Sequence, residues 1–422
     1  MIYAFKEKDA LHRMDELPDP FLKPDGTRVT DASQWPAQRA YLKAMLAHYL
    51  YGDMPPPPDN TTGRVLFARL CYAGRAIAET VEVSFGKGLC FQADIIRPVK
   101  EGRVPVITWN QFTGRHGSPL EEEIVLRRGY AIAEFDKEQL ASDSMAALTG
   151  PLAKAYPGYG WGAIAMWAYM QSRLIDYLAL TDYADMSRIV ATGHSRGGKV
   201  ALCASIYDER VALAAINGSG CGGAGCFRYL GGRMGEGTGL CETAGSICDV
   251  FPFWWAGELG RYGRRGTPLT GQAPPPGERV ISLPFSAVDI GHLGKTQDEH
   301  LLPFDLHTLK ALVAPRAIIT TDALGDTWAN PYGTQLTWRA AQEVFDFLGV
   351  PDRNALHMRD GDHAYNATDW QAVIDFCDMV FFDKKRETDI VRMPSAPAGQ
   401  SALAAALDWR NERLHFSWRQ PC

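Results

Sequence analysis

The run Gly193-His194-Ser195-Arg196-Gly197 fits the pattern G-x-S-x-G. The apolar stretch Arg188 to Thr192 precedes it, and a stretch with helical character containing Lys199 follows. A strand, a tight turn and a helix are the context in which this pattern carries a nucleophile. The flanking glycines let the backbone turn sharply without a Cβ clash, which lifts the Ser195 hydroxyl above the sheet. The N-terminus of the following helix then favours negative charge developing nearby. A capping serine at a glycine-rich strand–helix junction is the plainer alternative for the same residues. A serine hydroxyl attacks only when a base takes its proton. With the serine in this position, the base is expected late, after the last strand. His357 and His363 lie in that region. His357 falls inside an apolar strand pattern, which suits a structural role. His363 lies in the turn Asp360-Gly361-Asp362-His363-Ala364 and is the expected base. The acid is expected after the penultimate strand, where Asp322 and Asp326 both qualify. Asp322 touches the strand end and can serve simply to end it. Asp326 sits farther into the loop Ala323 to Trp328, with room to reach the imidazole, and is the favoured acid. It would fix the histidine tautomer and stabilise the imidazolium.

These residues need a sheet to hold them. Gln38 to Tyr51 is helical in pattern, and Pro55 to Pro58 break the chain after it. The runs Arg64 to Tyr72, Glu79 to Phe85 and Leu89 to Ile96 read as antiparallel strands entering a sheet. Strands and helices then alternate. Strands are expected at Val104 to Trp109, Tyr130 to Phe135, Arg188 to Thr192, Val211 to Ile216, Ala317 to Thr321 and Asn354 to Met358. Helices are expected at Ala163 to Leu180, Lys199 to Ile206, Leu306 to Leu312, Gln335 to Leu348 and Thr368 to Phe382. Continuous apolar strands between helices imply a parallel sheet covered on both faces. From Gly218 to His300 the chain is poor in strands and rich in Gly, Pro and aromatic residues. It reads as a large insertion over the carboxyl ends of the strands, where open α/β sheets keep their ligands.

Composition sets outer bounds. With 46% hydrophobic and 22% charged residues among 422, the chain is of globular type. Net charge is −6 with no basic block, which argues against a nucleic-acid partner. No apolar run is long enough for a membrane span. Nine cysteines, an odd number, include no C-x-x-C pair and no zinc-like spacing. Cys221, Cys226, Cys241 and Cys248 cluster in sequence and could pair or stay as buried thiols. The first residues lack the apolar core of a secretory signal, so the chain reads as cytoplasmic unless a signal has been removed.

Several stretches together resemble the glucuronoyl esterases, carbohydrate esterases of the α/β-hydrolase fold. The likeness centres on Gly193-His194-Ser195-Arg196-Gly197-Gly198-Lys199, similar to the family's G-C-S-R-x-G-K. It continues through Gly220 to Arg228, Leu302 to Asp305, Ala314 to Arg316 and Asp326-Thr327-Trp328. Leu17 to Phe21 and Asp25 to Val29 extend it towards the start. The resemblance implies hydrolysis of esters between 4-O-methyl-glucuronic acid on xylan and lignin alcohols. It implies Ser195 as nucleophile, His363 as base, and Arg196 as oxyanion donor through its N–H and its guanidinium. It implies Lys199 and Trp328 in the sugar site, with Glu242 standing where the family has a glutamine. A further sugar-contacting Glu falls near Asp249 or Val250. Many members carry a catalytic Glu at the position of Gly218, so the acid must come from the later loop, which favours Asp326. The family's cysteine before the nucleophile is His194 here, so a disulfide at that point is impossible.

The expected architecture is therefore α/β: an α/β-hydrolase fold, a three-layer sandwich with a mostly parallel central sheet. Residues 1–60 form a lead-in packed on the body, 61–393 the catalytic domain with its insertion at about 218–300, and 394–422 a tail docked by Trp409 and Trp418. The expected activity is that of a serine carboxylic-ester hydrolase using an acyl-enzyme, with glucuronoxylan fragments as substrate. No metal, cofactor, nucleic acid or membrane is expected. The alternatives are an acetyl or other sugar esterase, and a carbohydrate-binding relative without catalysis.

Overall fold

The computed structural model describes residues 3–112, 117–229, 241–262, 298–385 and 415–421. Nine strands form one mixed sheet in the order β1-β2-β3-β5-β4-β6-β7-β8-β9. They are β1 (Thr62–Cys71), β2 (Ala76–Phe85), β3 (Leu89–Pro98), β4 (Val104–Gln111), β5 (Ala131–Asp136), β6 (Ala184–His194), β7 (Val211–Asn217), β8 (Ala317–Ala323) and β9 (Asn354–Arg359). β1 to β3 pair antiparallel, as does β3 with β5. From β5 to β9 every pairing is parallel. β4 and β8 are buried at every residue, as parallel strands covered on both faces must be. β1, the edge, is exposed along nearly its whole length and carries a bulge between Val65 and Phe67. A bulge there twists the edge away from further pairing.

The helices are α1 (Trp35–Leu46), α2 (Pro151–Ala155), α3 (Ala163–Ala179), α4 (Arg196–Tyr207), α5 (Ala244–Val250), α6 (Leu306–Ala311), α7 (Pro331–Phe347) and α8 (Ala367–Phe382). Strand residues alternate between two cores. Val106, Ala191, Ile216 and Ile318 face α1, α3, α4 and α6. Ile107, Val190, Ala215 and Ile319 face α8. This period of two is the strand geometry itself, and it makes the molecule three layers thick. Among the described residues, no helix is long and apolar enough to cross a membrane.

Element positions differ from expectation mainly at their ends. The first helix starts at Trp35, with Pro36 in its first turn, and its last five residues are wound as a π-turn. Gly52 ends it at φ +78°, where a Cβ would lie 2.1 Å from Gly160 O. The described parts of the segment after β7 contain α5 and two 3₁₀ turns but no strand. Its residues 230–240 and 263–297 lie outside the described residues, as does Trp409. Trp418 does dock: its indole N–H donates to Leu17 O at 2.7 Å, beside fully buried Phe416. The eight described cysteines are all free thiols, and Cys221, Cys226 and Cys248 are buried.

Candidate active site

Every candidate residue lies at or beyond the carboxyl end of a parallel strand or on an element packed there. Ser195 directly follows β6 and starts α4, with φ +58° and ψ −125°. A non-glycine residue in that region is strained and must be held by its surroundings. Here the Ser195 N–H donates to Asn217 O at 2.9 Å, and Ser195 O accepts from Gly198 N at 2.9 Å. The elbow leaves no room on either side. A Cβ on Gly193 would lie 2.1 Å from Gly197 O, and one on Gly197 would lie 2.6 Å from Asn110 Oδ1. Asn110, a polar residue in the otherwise buried β4, donates to Thr192 O and Gly197 O, each at 3.1 Å. It fastens strand to helix across the turn. Two adjacent amides, Asn110 and Gln111, closing an apolar strand are its sequence signal.

His363 Nδ1 lies 2.5 Å from Asp326 Oδ2. Asp326 is buried, and its other oxygen accepts from Ala329 N at 3.3 Å. The ring nitrogen left for other work is Nε2. Two backbone bonds tie the loops together: Leu324 N to Arg359 O at 2.8 Å and Gly325 N to Gly361 O at 2.9 Å. Arg359 staples the histidine loop from beneath. It donates to Asp369 Oδ2 (2.8 Å), Asp360 O (3.0 Å), Asp362 O (3.2 Å) and Ala364 O (2.7 Å). Among the described residues no hydrogen bond joins the Ser195 hydroxyl to the His363 ring. Catalytic hydrogen bonds often tighten only when substrate binds.

Asp322 is the penultimate residue of β8, close to the strand end as expected. It lies within β8, is buried, and faces the α6–α7 side. Burial pushes its carboxyl up and pulls the buried Lys310 ammonium down, and the attraction between the two opposite charges works against both shifts. Lys310 Nζ donates to Thr334 O at 3.1 Å and Thr337 Oγ1 at 2.9 Å. Of the two aspartates, Asp326 is the one at the imidazole. His357 is buried within β9, as its apolar pattern indicated.

Lys199, one turn into α4, is buried with Glu242, its Nζ 2.9 Å from Glu242 Oε2. The same oxygen accepts from Cys221 N at 2.9 Å, while Glu242 N donates to Trp328 O at 2.9 Å. A Cβ on Gly220 would lie 2.6 Å from that carboxylate. The three residues expected in a sugar site are thus assembled together, with Trp328 half-buried. Asp249 is buried in α5, seven residues on.

Arg196 N–H belongs to the first residue of α4, next to the serine. Its guanidinium forms a close ion pair with Asp143 and lies 4.8 Å from the Trp254 ring and 5.1 Å from the Phe251 ring. Trp254 Nε1 donates to Asp143 Oδ1 at 2.9 Å, and buried Lys137 lies 4.0 Å from Asp143. Neither Asp143 nor Trp254 carried a local sequence signal, because both reach the site from distant segments.

A sequence profile described as "Glucuronyl esterase, fungi" matches residues 81–270 and 290–349. A carbohydrate esterase from an unknown prokaryotic organism is 28% identical over 86% of this chain and 89% of its own length. A 4-O-methyl-glucuronoyl methylesterase from Phanerochaete carnosa is 26% identical over 83% of this chain and 76% of its own. Among solved structures, a carbohydrate esterase family 15 glucuronoyl esterase from Caldicellulosiruptor kristjansonii superposes with a TM-score of 0.70. It is 28% identical, covering 92% of this chain and 96% of that one. The profile spans more than half of the sequence and takes in the serine elbow, Lys199, Glu242, Asp326 and Trp328; the chain belongs to the glucuronyl esterase family.

Proposed function

We propose that this carboxylic-ester hydrolase cleaves esters of (4-O-methyl-)glucuronic acid on xylan fragments, with residues 61–393 as its catalytic unit and Ser195, His363 and Asp326 as its triad. Ser195 Oγ attacks the ester carbonyl while His363 Nε2 takes its proton. Asp326 holds the Nδ1 proton and so keeps Nε2 free to accept. The tetrahedral oxyanion sits at the start of α4, within reach of the Arg196 N–H and the helix dipole. Collapse expels the alcohol, which takes the proton from His363. Water then attacks the acyl-serine by the same base, releasing the uronic acid. The Arg196 side chain, held by Asp143 and Trp254, adds positive charge beside the oxyanion. Lys199 offers a donor and Glu242 an acceptor to sugar hydroxyls, and Trp328 an apolar face.

The observation that carries this reading is the 2.5 Å contact of Asp326 with His363, in loops bonded to each other that follow β8 and β9, on the same side of the sheet order from the serine's β6. The test is turnover of benzyl glucuronate beside a simple acetate ester, for the wild type and Ser195→Ala. Glucuronate turnover lost in the variant is the expected result. Preference for the acetate would move the specificity to another sugar ester. Activity surviving in Ser195→Ala would remove the nucleophile.

A further inference from the structure

His363 is held at Nδ1 by Asp326, yet its side chain is 38% exposed. A single hydrogen bond at one ring atom leaves the ring free to swing about it. Something else must hold Nε2 towards the serine. The His194 ring packs against His363, with centroids 4.5 Å apart and the planes 41° apart. His194 is itself fixed from three strands. Its Nδ1 lies 2.6 Å from Asn217 Oδ1, at the end of β7. The Asn217 amide nitrogen is committed to Thr321 O (3.2 Å) and Thr321 Oγ1 (2.9 Å) in β8. Its oxygen therefore faces His194, whose Nδ1 is the donor. Beyond His194, Tyr365 lies 6.3 Å away at 23°, and its hydroxyl is 2.8 Å from Thr192 Oγ1 in β6. Tyr365 in turn stacks on Trp370 at 4.7 Å. The two histidines meet over bare backbone. Gly218 has φ +50°, and a Cβ there would lie 3.4 Å from Cε1 of both rings.

We propose that His194 is a positioning residue: its ring face holds the imidazole of His363 in the orientation that serves Ser195. The proposal rests on His363 being the base. An aromatic pair of this kind corresponds to a roughly 2- to 12-fold population ratio between held and free orientations.

The test compares the wild type, His194→Ala and His194→Phe by four readouts. These are kcat and KM on benzyl glucuronate, the rate of Ser195 labelling by a fluorophosphonate, the melting temperature, and the downfield proton signal of His363 Nδ1–H. His194→Ala should lower kcat and the labelling rate by about 2- to 12-fold with KM little changed, and should broaden the proton signal. His194→Phe keeps a ring face without the Asn217 hydrogen bond and should recover to within about 2-fold of the wild type. An unchanged kcat and signal in His194→Ala would overturn the proposal. So would a His194→Phe enzyme as slow as His194→Ala. A wild type that neither turns over nor labels would sink the proposed reaction instead, and the proton signal of the two variants would still decide whether His194 holds the ring.

Discussion

Asp326→Asn tests the triad most sharply, because the structure dictates how the new amide must sit. The Asp326 carboxylate serves two neighbours, the Ala329 N–H and His363 Nδ1. An Asn amide has one acceptor and one donor end. The Ala329 N–H, which also donates to the Asp326 backbone oxygen at 3.1 Å, would repel the NH₂ and takes only the oxygen end as a side-chain partner, so the NH₂ turns to His363 and donates to Nδ1. The imidazole proton then moves to Nε2, the nitrogen that must accept from Ser195. A base in the wrong tautomer loses up to ~10⁴ in turnover, about 5.4 kcal/mol of barrier. Asp326→Ala leaves the imidazole free to choose its tautomer, so it should retain at least ~10-fold more activity than Asp326→Asn. Stability should run the other way. The Asn keeps the cap at Ala329, whereas Ala loses it at a cost of about 1 kcal/mol. The assay is initial rates on benzyl glucuronate for the three proteins, with thermal melts alongside. Equal losses in both variants, or Asp326→Asn above about a tenth of wild-type kcat, would refute the tautomer argument.

Three further outcomes follow from the same geometry. Lys199→Ala leaves the Glu242 carboxylate buried and unpaired, so urea unfolding should show a loss of about 3–5 kcal/mol. The double variant Lys199→Met with Glu242→Leu should recover most of that while glucuronate turnover stays impaired more than acetate turnover; a double variant as unstable as the single would contradict this. Arg359→Lys cannot reproduce the four-way fork under the histidine loop, so kcat should fall about 10-fold or more with KM nearly constant, and an unchanged kcat would show that the loop holds itself. Burial pushes the Glu299 carboxyl up to about 7 from 4.5. The folded protein therefore keeps a proton that the unfolded chain releases. This contribution is full below pH 4.5 and is lost as pH rises through 7. It amounts to roughly 3 kcal/mol. Glu299→Gln should flatten the decline in stability between pH 5 and 8, roughly the interval of that titration, and an unchanged slope would mean that Glu299 does not titrate there.

Much of this molecule was legible in its residue order. The strand–turn–helix around Ser195 was visible because glycine on each side of a serine has a local steric cause, now seen in the 2.1 Å and 2.6 Å clashes that a Cβ would make. The strands and main helices were visible because apolar runs of strand length differ from those of helix length. His363 was separable from His357 because one lies in a polar turn and the other in an apolar run. Asp326 was the favoured acid because it lies four residues farther past the strand than Asp322, but the pattern left both open. Either could have reached a histidine, and the choice depended on which way β8 points its side chains.

What the sequence determined by itself is therefore local: which segments form strands, where the chain must turn, and which residue types can attack, accept a proton or carry charge. The tertiary structure decided the pairings. It placed β5 outside β4, sent Asp322 towards Lys310, and brought Asp326 to His363 across 37 residues. It joined Arg196 to Asp143, Lys199 to Glu242 and His194 to His363. Such contacts have no sequence period, because they depend on the order and twist of strands whose partners lie far along the chain. A side chain's chemistry is written in its own residue, but its partner is chosen only when the sheet is complete.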